Sequence, residues 1–240
     1  DNNSGQASPI SYGETKSQVL CPAGDVDYYK FNASAGDRIV VDIDTPATEP
    51  PPDLDPYLFL LDADGASVLA EHDDEVHGLR RDPHLGYLID RSGTYYLKVR
   101  AWAHPSAGGS EYTYTLKLFK DNTPPTAKID YPSSGSYLPD KPFTITAGTS
   151  DTSSGISHVE FMWHSGNWNL ESWNVLGSDW DGSNGWSYPF DPSALPEQQD
   201  IAFYANVFDW AGNWTGAGSW EIRLDRSALI SSLYLPLITK

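Results

Sequence analysis

Along most of this chain apolar and polar residues alternate at every step, the two-residue period of a strand with one face in a core. Residues 25–31, 38–43, 94–102 and 112–119 follow this pattern. Residues 57–61 (YLFLL) are almost wholly apolar, which predicts a strand buried on both faces. Shorter stretches at 17–20, 68–70 and 85–89 add further strands. Asp62-Ala63-Asp64-Gly65 reads as a hairpin turn with the glycine in the left-handed position. The Pro-rich run 45–56 cannot enter a sheet interior. No helical period persists for the length of an ordinary helix. Short strands between turn signals predict an antiparallel sandwich.

The run Asn122-Thr123-Pro124-Pro125-Thr126 reads as a short, stiff linker. Beyond it the strand pattern resumes at 129–131, 143–147, 157–164, 201–208 and 219–224. The fold expected is therefore all-β. Two antiparallel β-sandwich domains in tandem, 1–121 and 127–226, are joined by the linker 122–126 and followed by a β-prone tail, 227–240.

Two stretches break the pattern. Residues 163–190 read as an insertion, with Trp163, Trp168, Trp173, Trp180, Trp186 and Tyr188 among Gly, Ser, Asn and Asp. This is too polar for a core and too rich in tryptophan for an ordinary loop. Such rings stack on sugar faces while neighbouring Asn and Asp take hydroxyls. The reading set against this, and favoured over it, is packing over one end of a sandwich or a protein contact. The tail carries Leu229, Ile230, Leu233, Tyr234, Leu235, Leu237 and Ile238. It could pair with its own domain, add as a strand to another copy and so build a filament, or act as an anchoring signal.

The chain has 240 residues, 33 acidic against 15 basic, for a net charge of −18. That balance argues against nucleic-acid phosphates as partners, because these need clustered Lys and Arg. It suits calcium and an extracellular medium. No apolar run is long enough to span a membrane as a helix. Cys21 is the one cysteine; it cannot close an intrachain disulfide, and its expected place is a small buried apolar site. No Ser, Cys or metal-dependent hydrolase motif occurs. Glu160 is the nearest thing to a glycosidase carboxyl, and its expected place is the outward side of a strand.

Asp25 and Asp27 stand two apart at the mouth of a strand. If the strand has begun there they share a side and repel, so a hard cation with oxygen ligands is the simplest partner. The alternative is a solvated turn with Asp caps. Asp73, Asp74 and Glu75 form a second acidic group in an expected loop, and His72, His77 and His84 beside it offer zinc ligands that no single element fixes.

Four motifs carry a resemblance: GDVDYYKF (24–31), AGDRIVVDI (35–43), LDPYLFLLDADGASVLAEHDD (54–74) and SGTYYLKVRA (92–101). Together they resemble the bacterial pre-peptidase C-terminal domain, a small β-sandwich appended to many secreted enzymes. The resemblance covers roughly residues 1–120 and implies a non-catalytic role. It also implies a calcium site in which Asp1, Asn2 and Asn3 fold back towards Asp25 and Asp27. The later pattern D-x-S-S-G-I (151–156), V-x-F (159–161) and V-x-D-x-A-G-N (207–213) is similar to bacterial immunoglobulin-like domains of surface proteins.

The function expected is a secreted or cell-surface structural or adhesive protein, self-associating through its tail and its tryptophan face. The alternative is an accessory region that targets a secreted hydrolase to collagen or a polysaccharide. Neither is an enzyme. The partners expected are other copies of the chain or an extracellular polymer.

Overall fold

The computed structural model describes residues 2–46, 54–75, 81–139, 141–165, 173–195 and 200–225. The chain divides into two compact units, one formed by 1–123 with 210–213 and the other by the remainder. Among the described residues both are built of strands, with only short 3-10 turns between them.

In the first unit two sheets face each other. One orders β1 (Ser8–Pro9), β3 (Val26–Ala33), β8 (Gly93–Ala101), β5 (Pro56–Leu61) and β6 (Val68–His72). The other orders β2 (Glu14–Val19), β9 (Thr113–Lys120), β4 (Arg38–Asp44) and β7 (His84–Leu88). All pairings are antiparallel except β1 with β3. Alternation sends Tyr29, Phe31, Leu58, Leu60, Leu97 and Val99 inward from one sheet. Ile39, Val41, Ile43, Tyr114, Leu116 and Leu118 meet them from the other. Burying each such side chain contributes about 1.5–3 kcal/mol.

The expected turn forms at Asp62–Gly65, with Gly65 at φ 66°. Asp64 accepts from the Ala66 and Ser67 N–H groups and from the Ser67 hydroxyl, which lowers its pKa to about 2. Cys21 corrects an expectation: it is exposed, not buried. It lies in the turn between β2 and β3, where its N–H donates to Asp25 Oδ2 at 2.8 Å and Pro22 follows it.

The second unit is also a two-sheet sandwich. β10 (Thr126–Tyr131), β12 (Phe143–Ser150) and β15 (Trp186–Phe190) form one sheet. The other orders β11 (Tyr137–Pro139), β17 (Trp214–Asp225), β16 (Ile201–Asp209), β13 (Ile156–Ser165) and β14 (Asn174–Asp179). Ile145, Val159, Phe161, Phe203, Val207 and Ile222 fill the space between.

Among its described residues the tryptophan stretch is strand rather than loop. β14 and β15 are regular strands joined through a 3-10 turn, Gly182–Asn184. Asp179 fastens that connection: its carboxylate accepts from the Asp181 N–H at 3.0 Å and the Ser187 N–H at 2.9 Å. The Gly, Ser and Asp that made the stretch look loop-like are the residues that turn it.

Candidate functional site

The five-stranded sheet of the second unit turns one face inward and the other out. β16 shows how the sequence does this: Phe203, Ala205 and Val207 are wholly buried, while Tyr204, Asn206 and Phe208 between them are partly exposed. Cross-strand register lines up their neighbours. His158 pairs with Phe208, and Phe208 with Trp214. Glu160 pairs with Asn206, and Asn206 with Gly216. Met162 pairs with Tyr204, and Tyr204 with Gly218.

The first of these rows is a stack of rings. Trp180 lies 4.0 Å from His158 at 15°, and His158 lies 4.5 Å from Phe208 at 4°. Trp214 continues the row at 6.3 Å from Phe208. Burial holds the pKa of His158 below the ordinary imidazole value, against the pull of Glu160. The Ser157 hydroxyl lies 3.0 Å from its Nδ1. The ends of the stack are open: Trp180 is 62% exposed and Trp214 56%. Both end rings are therefore mostly in contact with solvent.

A second ring group lies at the other end of the same strands. Trp173 is 5.4 Å from Tyr204, 5.8 Å from Trp220 and 5.6 Å from His164. The glycines of β17 make room for it. A Cβ at Gly216 would collide with the Tyr204 ring, and one at Gly218 with the Trp220 ring, so each ring lies directly over a glycine. One side of each ring is thereby turned away from the strand. Between the two groups lies a polar row, in which Asn206 Nδ2 donates to Glu160 Oε2 at 3.2 Å. Along β17 the Trp214 row is separated from Gly216 and Gly218, over which Tyr204 and Trp220 lie, by roughly 7 and 13 Å.

The structure divides the tryptophans singled out in the sequence. Trp173 and Trp180 stand on this face. Trp163, Trp186 and Tyr188 pack against the core between the sheets, contrary to the expectation that the stretch is too polar to contribute to it. Trp168 lies outside the described residues. Trp214, Trp220, Tyr204, Phe208 and His158 were missed. For Trp214 and Trp220 the signal was present in Trp214-Thr-Gly216-Ala-Gly218-Ser-Trp220, where small and aromatic residues share one side of a strand.

The candidate calcium residues are placed differently. Asp25 precedes β3; its Oδ2 accepts from the Cys21 N–H and its Oδ1 from the Val26 N–H. Asp27, inside β3, accepts at 2.6 Å from the Tyr114 hydroxyl, which lies 2.6 Å from that of Tyr29. Burial raises the pKa of Asp27 despite the Tyr114 bond, with Asp25 adding to the rise. Asn2 does come close: its Oδ1 accepts from the Val26 N–H at 3.4 Å. Asn3 instead donates to Gln6 at 2.9 Å. Asp1 lies outside the described residues. A cation here would compete with hydrogen bonds already made by three of the four carboxylate oxygens. A different acidic group, Asp55, Asp73 and Asp74, brings its oxygens within 4.8 Å of one another.

His84, on β7, contacts Asp42 through Nδ1 at 3.1 Å, and His72 lies on β6; His77 lies outside the described residues. So do all the tail residues, Leu229, Ile230, Leu233, Tyr234, Leu235, Leu237 and Ile238. Among the described residues no helix is long and apolar enough to cross a membrane.

By fold, the chain is a pair of β-sandwich modules with a ring-lined face on the second. Residues 25–101 match the family model of the bacterial pre-peptidase C-terminal domain, and residues 125–201 match that of the bacterial Ig domain. The chain thus carries one module of each family, both of kinds that typically serve as non-catalytic parts of larger extracellular proteins. A probable subtilase-type serine protease of Deinococcus radiodurans is 32% identical over 96 residues, which is 39% of this chain and 12% of that protein. The chain therefore spans only a small part of that relative's length. Among solved structures, the pre-peptidase C-terminal domain of a Bacillus anthracis collagenase aligns at 19% identity with a TM-score of 0.35, covering 47% of this chain and 94% of that one. A calcium-stabilised ice-binding adhesin of an Antarctic bacterium aligns at 11% identity with a TM-score of 0.27, covering 89% of this chain and 49% of the other.

Proposed function

We propose that this chain is a non-catalytic accessory region of a secreted or cell-surface bacterial protein, and that it holds an extended extracellular polymer on the outer sheet face of its second unit. The observation that carries this reading is the pair of ring groups on one face, with Trp180 and Trp214 more than half exposed at the open ends of a ring stack. Its kinship with part of a subtilase-type protease supports attachment to a secreted hydrolase.

The test is co-sedimentation of the full chain with insoluble polysaccharides and with collagen, using Trp180→Ala combined with Trp214→Ala. Each exposed ring contributes about 0.5–1.5 kcal/mol in a stacked contact, so the pair should weaken binding about tenfold while leaving the melting temperature unchanged. Equal binding by parent and variant removes the face from the reading. Association of the chain only with itself, read as mass by light scattering, replaces polymer binding with self-assembly.

Calcium belongs to the same reading as a stabiliser of the first unit. Its addition should raise the melting temperature of that unit and a chelator should reverse the rise. Loss of the rise in Asp27→Asn assigns the ion to the start of β3, and loss in Asp73→Asn assigns it to the Asp55 group. The same melting curve with calcium and with chelator removes calcium from the proposal.

A further inference from the structure

We infer that the polymer is an uncharged polysaccharide, gripped by the two ring groups and read through the Glu160–Asn206 row between them. This rests on the binding face proposed above and names what it takes.

Charge makes the first selection. The face carries Glu160 in a chain of net charge −18, and Arg223 on β17, which keeps its charge while donating to the neutral Tyr137 hydroxyl at 3.0 Å, offsets only a small part of it. A polyanion meets repulsion here. Shape makes the second. Tyr204 and Trp220 lie over Gly216 and Gly218, so they are held against the strand backbone with a ring side turned outward. Strand glycines mark places where something approaches the backbone closely, and here it is a ring. A pyranose offers a C–H face that matches such a ring and a rim of hydroxyls that needs both donors and acceptors.

The polar row supplies both. Asn206 and Glu160 are half-buried and already paired at 3.2 Å, so their orientation is set before a ligand arrives. An amide and a carboxylate side by side give donors and acceptors to hydroxyl groups, the pairing that discriminates a hydrogen-bonding ligand from an apolar one. The separation of the ring rows, roughly 7 to 13 Å along the strands, suits a chain of two or three sugars or more and gives a single sugar only one of the two ring groups.

The experiment is calorimetric titration of the full chain with cellohexaose, chitohexaose, cellobiose, an alginate oligomer and a triple-helical collagen peptide. A neutral hexamer should bind about tenfold or more tightly than cellobiose, and Asn206→Leu should weaken the hexamer about tenfold or more. Asn206→Asp, which keeps the size but not the donors, should weaken it too, and the melting temperatures of both variants are the check on folding. Binding of alginate in preference to the neutral hexamers overturns the charge argument. Binding of the collagen peptide alone, abolished in the Trp180→Ala, Trp214→Ala variant, overturns the glycan inference while the polymer-binding face stands. No binding by any probe, together with no effect of the ring variants on co-sedimentation, removes both.

Discussion

Replacing Tyr114 by Phe should destabilise the first unit by about 2–3 kcal/mol at neutral pH, although it removes a single oxygen. Tyr114 is 1% exposed, and its hydroxyl links Tyr29 to Asp27, 2.6 Å from each. Without it, two groups lose their partner inside the sandwich: a phenol and a partly buried carboxylate. Replacing Tyr29 by Phe removes only the outer hydroxyl and leaves the bond between Tyr114 and Asp27, so about 1 kcal/mol is expected. The comparison separates a lost hydrogen bond from an abandoned charge.

The pH dependence follows from Asp27. Its folded pKa is already raised by burial, and the Tyr114 bond opposes that rise. In Tyr114→Phe the opposition disappears and the folded pKa climbs further. A carboxyl whose folded pKa lies above its unfolded value binds the proton more tightly in the native state, so its contribution is fully present below the unfolded pKa and is lost as pH rises through the folded one. The deficit of Tyr114→Phe should therefore be greatest near neutrality and shrink as pH falls into the range where carboxyls protonate. Urea unfolding across that range reads it directly. Equal stability of Tyr114→Phe and parent at neutral pH would mean that water replaces the hydroxyl and that the chain of bonds is not closed to solvent.

The same residues show what could be read from sequence and what could not. The alternation that placed Tyr29, Phe31, Leu97 and Leu116 in one core is a local property of each strand, and it was visible without the fold. The motif resemblance located both modules for the same reason. Asp25 and Asp27 were paired by spacing alone. What separates them is tertiary: Tyr114, far along the chain, reaches Asp27, while Asp25 caps a turn. The ring face was hidden in a different way. Trp173 and Trp180 come from one stretch and Trp214 and Trp220 from another, and only cross-strand register makes the two pairs neighbours. Counting tryptophans in one stretch therefore gathered core residues such as Trp163 with surface ones such as Trp180.

Replacing Gly216 by Val should destabilise the second unit by about 1–3 kcal/mol, although strand propensity predicts the opposite sign. Glycine in a strand interior is unfavourable and valine is among the best strand formers, a difference of up to about 1 kcal/mol in favour of the variant. Sterics outweigh it here. A Cβ at this position falls on the Tyr204 ring, and Tyr204 is held in turn by Trp173 and Trp220. The ring cannot move without disturbing the group. Aromatic cover over a strand glycine is itself a stabilising device, and the substitution removes it. Polymer binding should fall with it, because the displaced rings are the ones proposed to stack on the ligand. The decisive comparison is Gly216→Val made on top of Tyr204→Ala. With the ring gone the clash is gone, and valine should then be neutral or stabilising, so the two substitutions should couple by 1 kcal/mol or more in a double-mutant cycle, by rough estimate. If Gly216→Val is equally harmful with and without Tyr204, the backbone of β17 and not the ring sets the requirement for glycine, and the account of the face as rings laid over a strand would have to be given up.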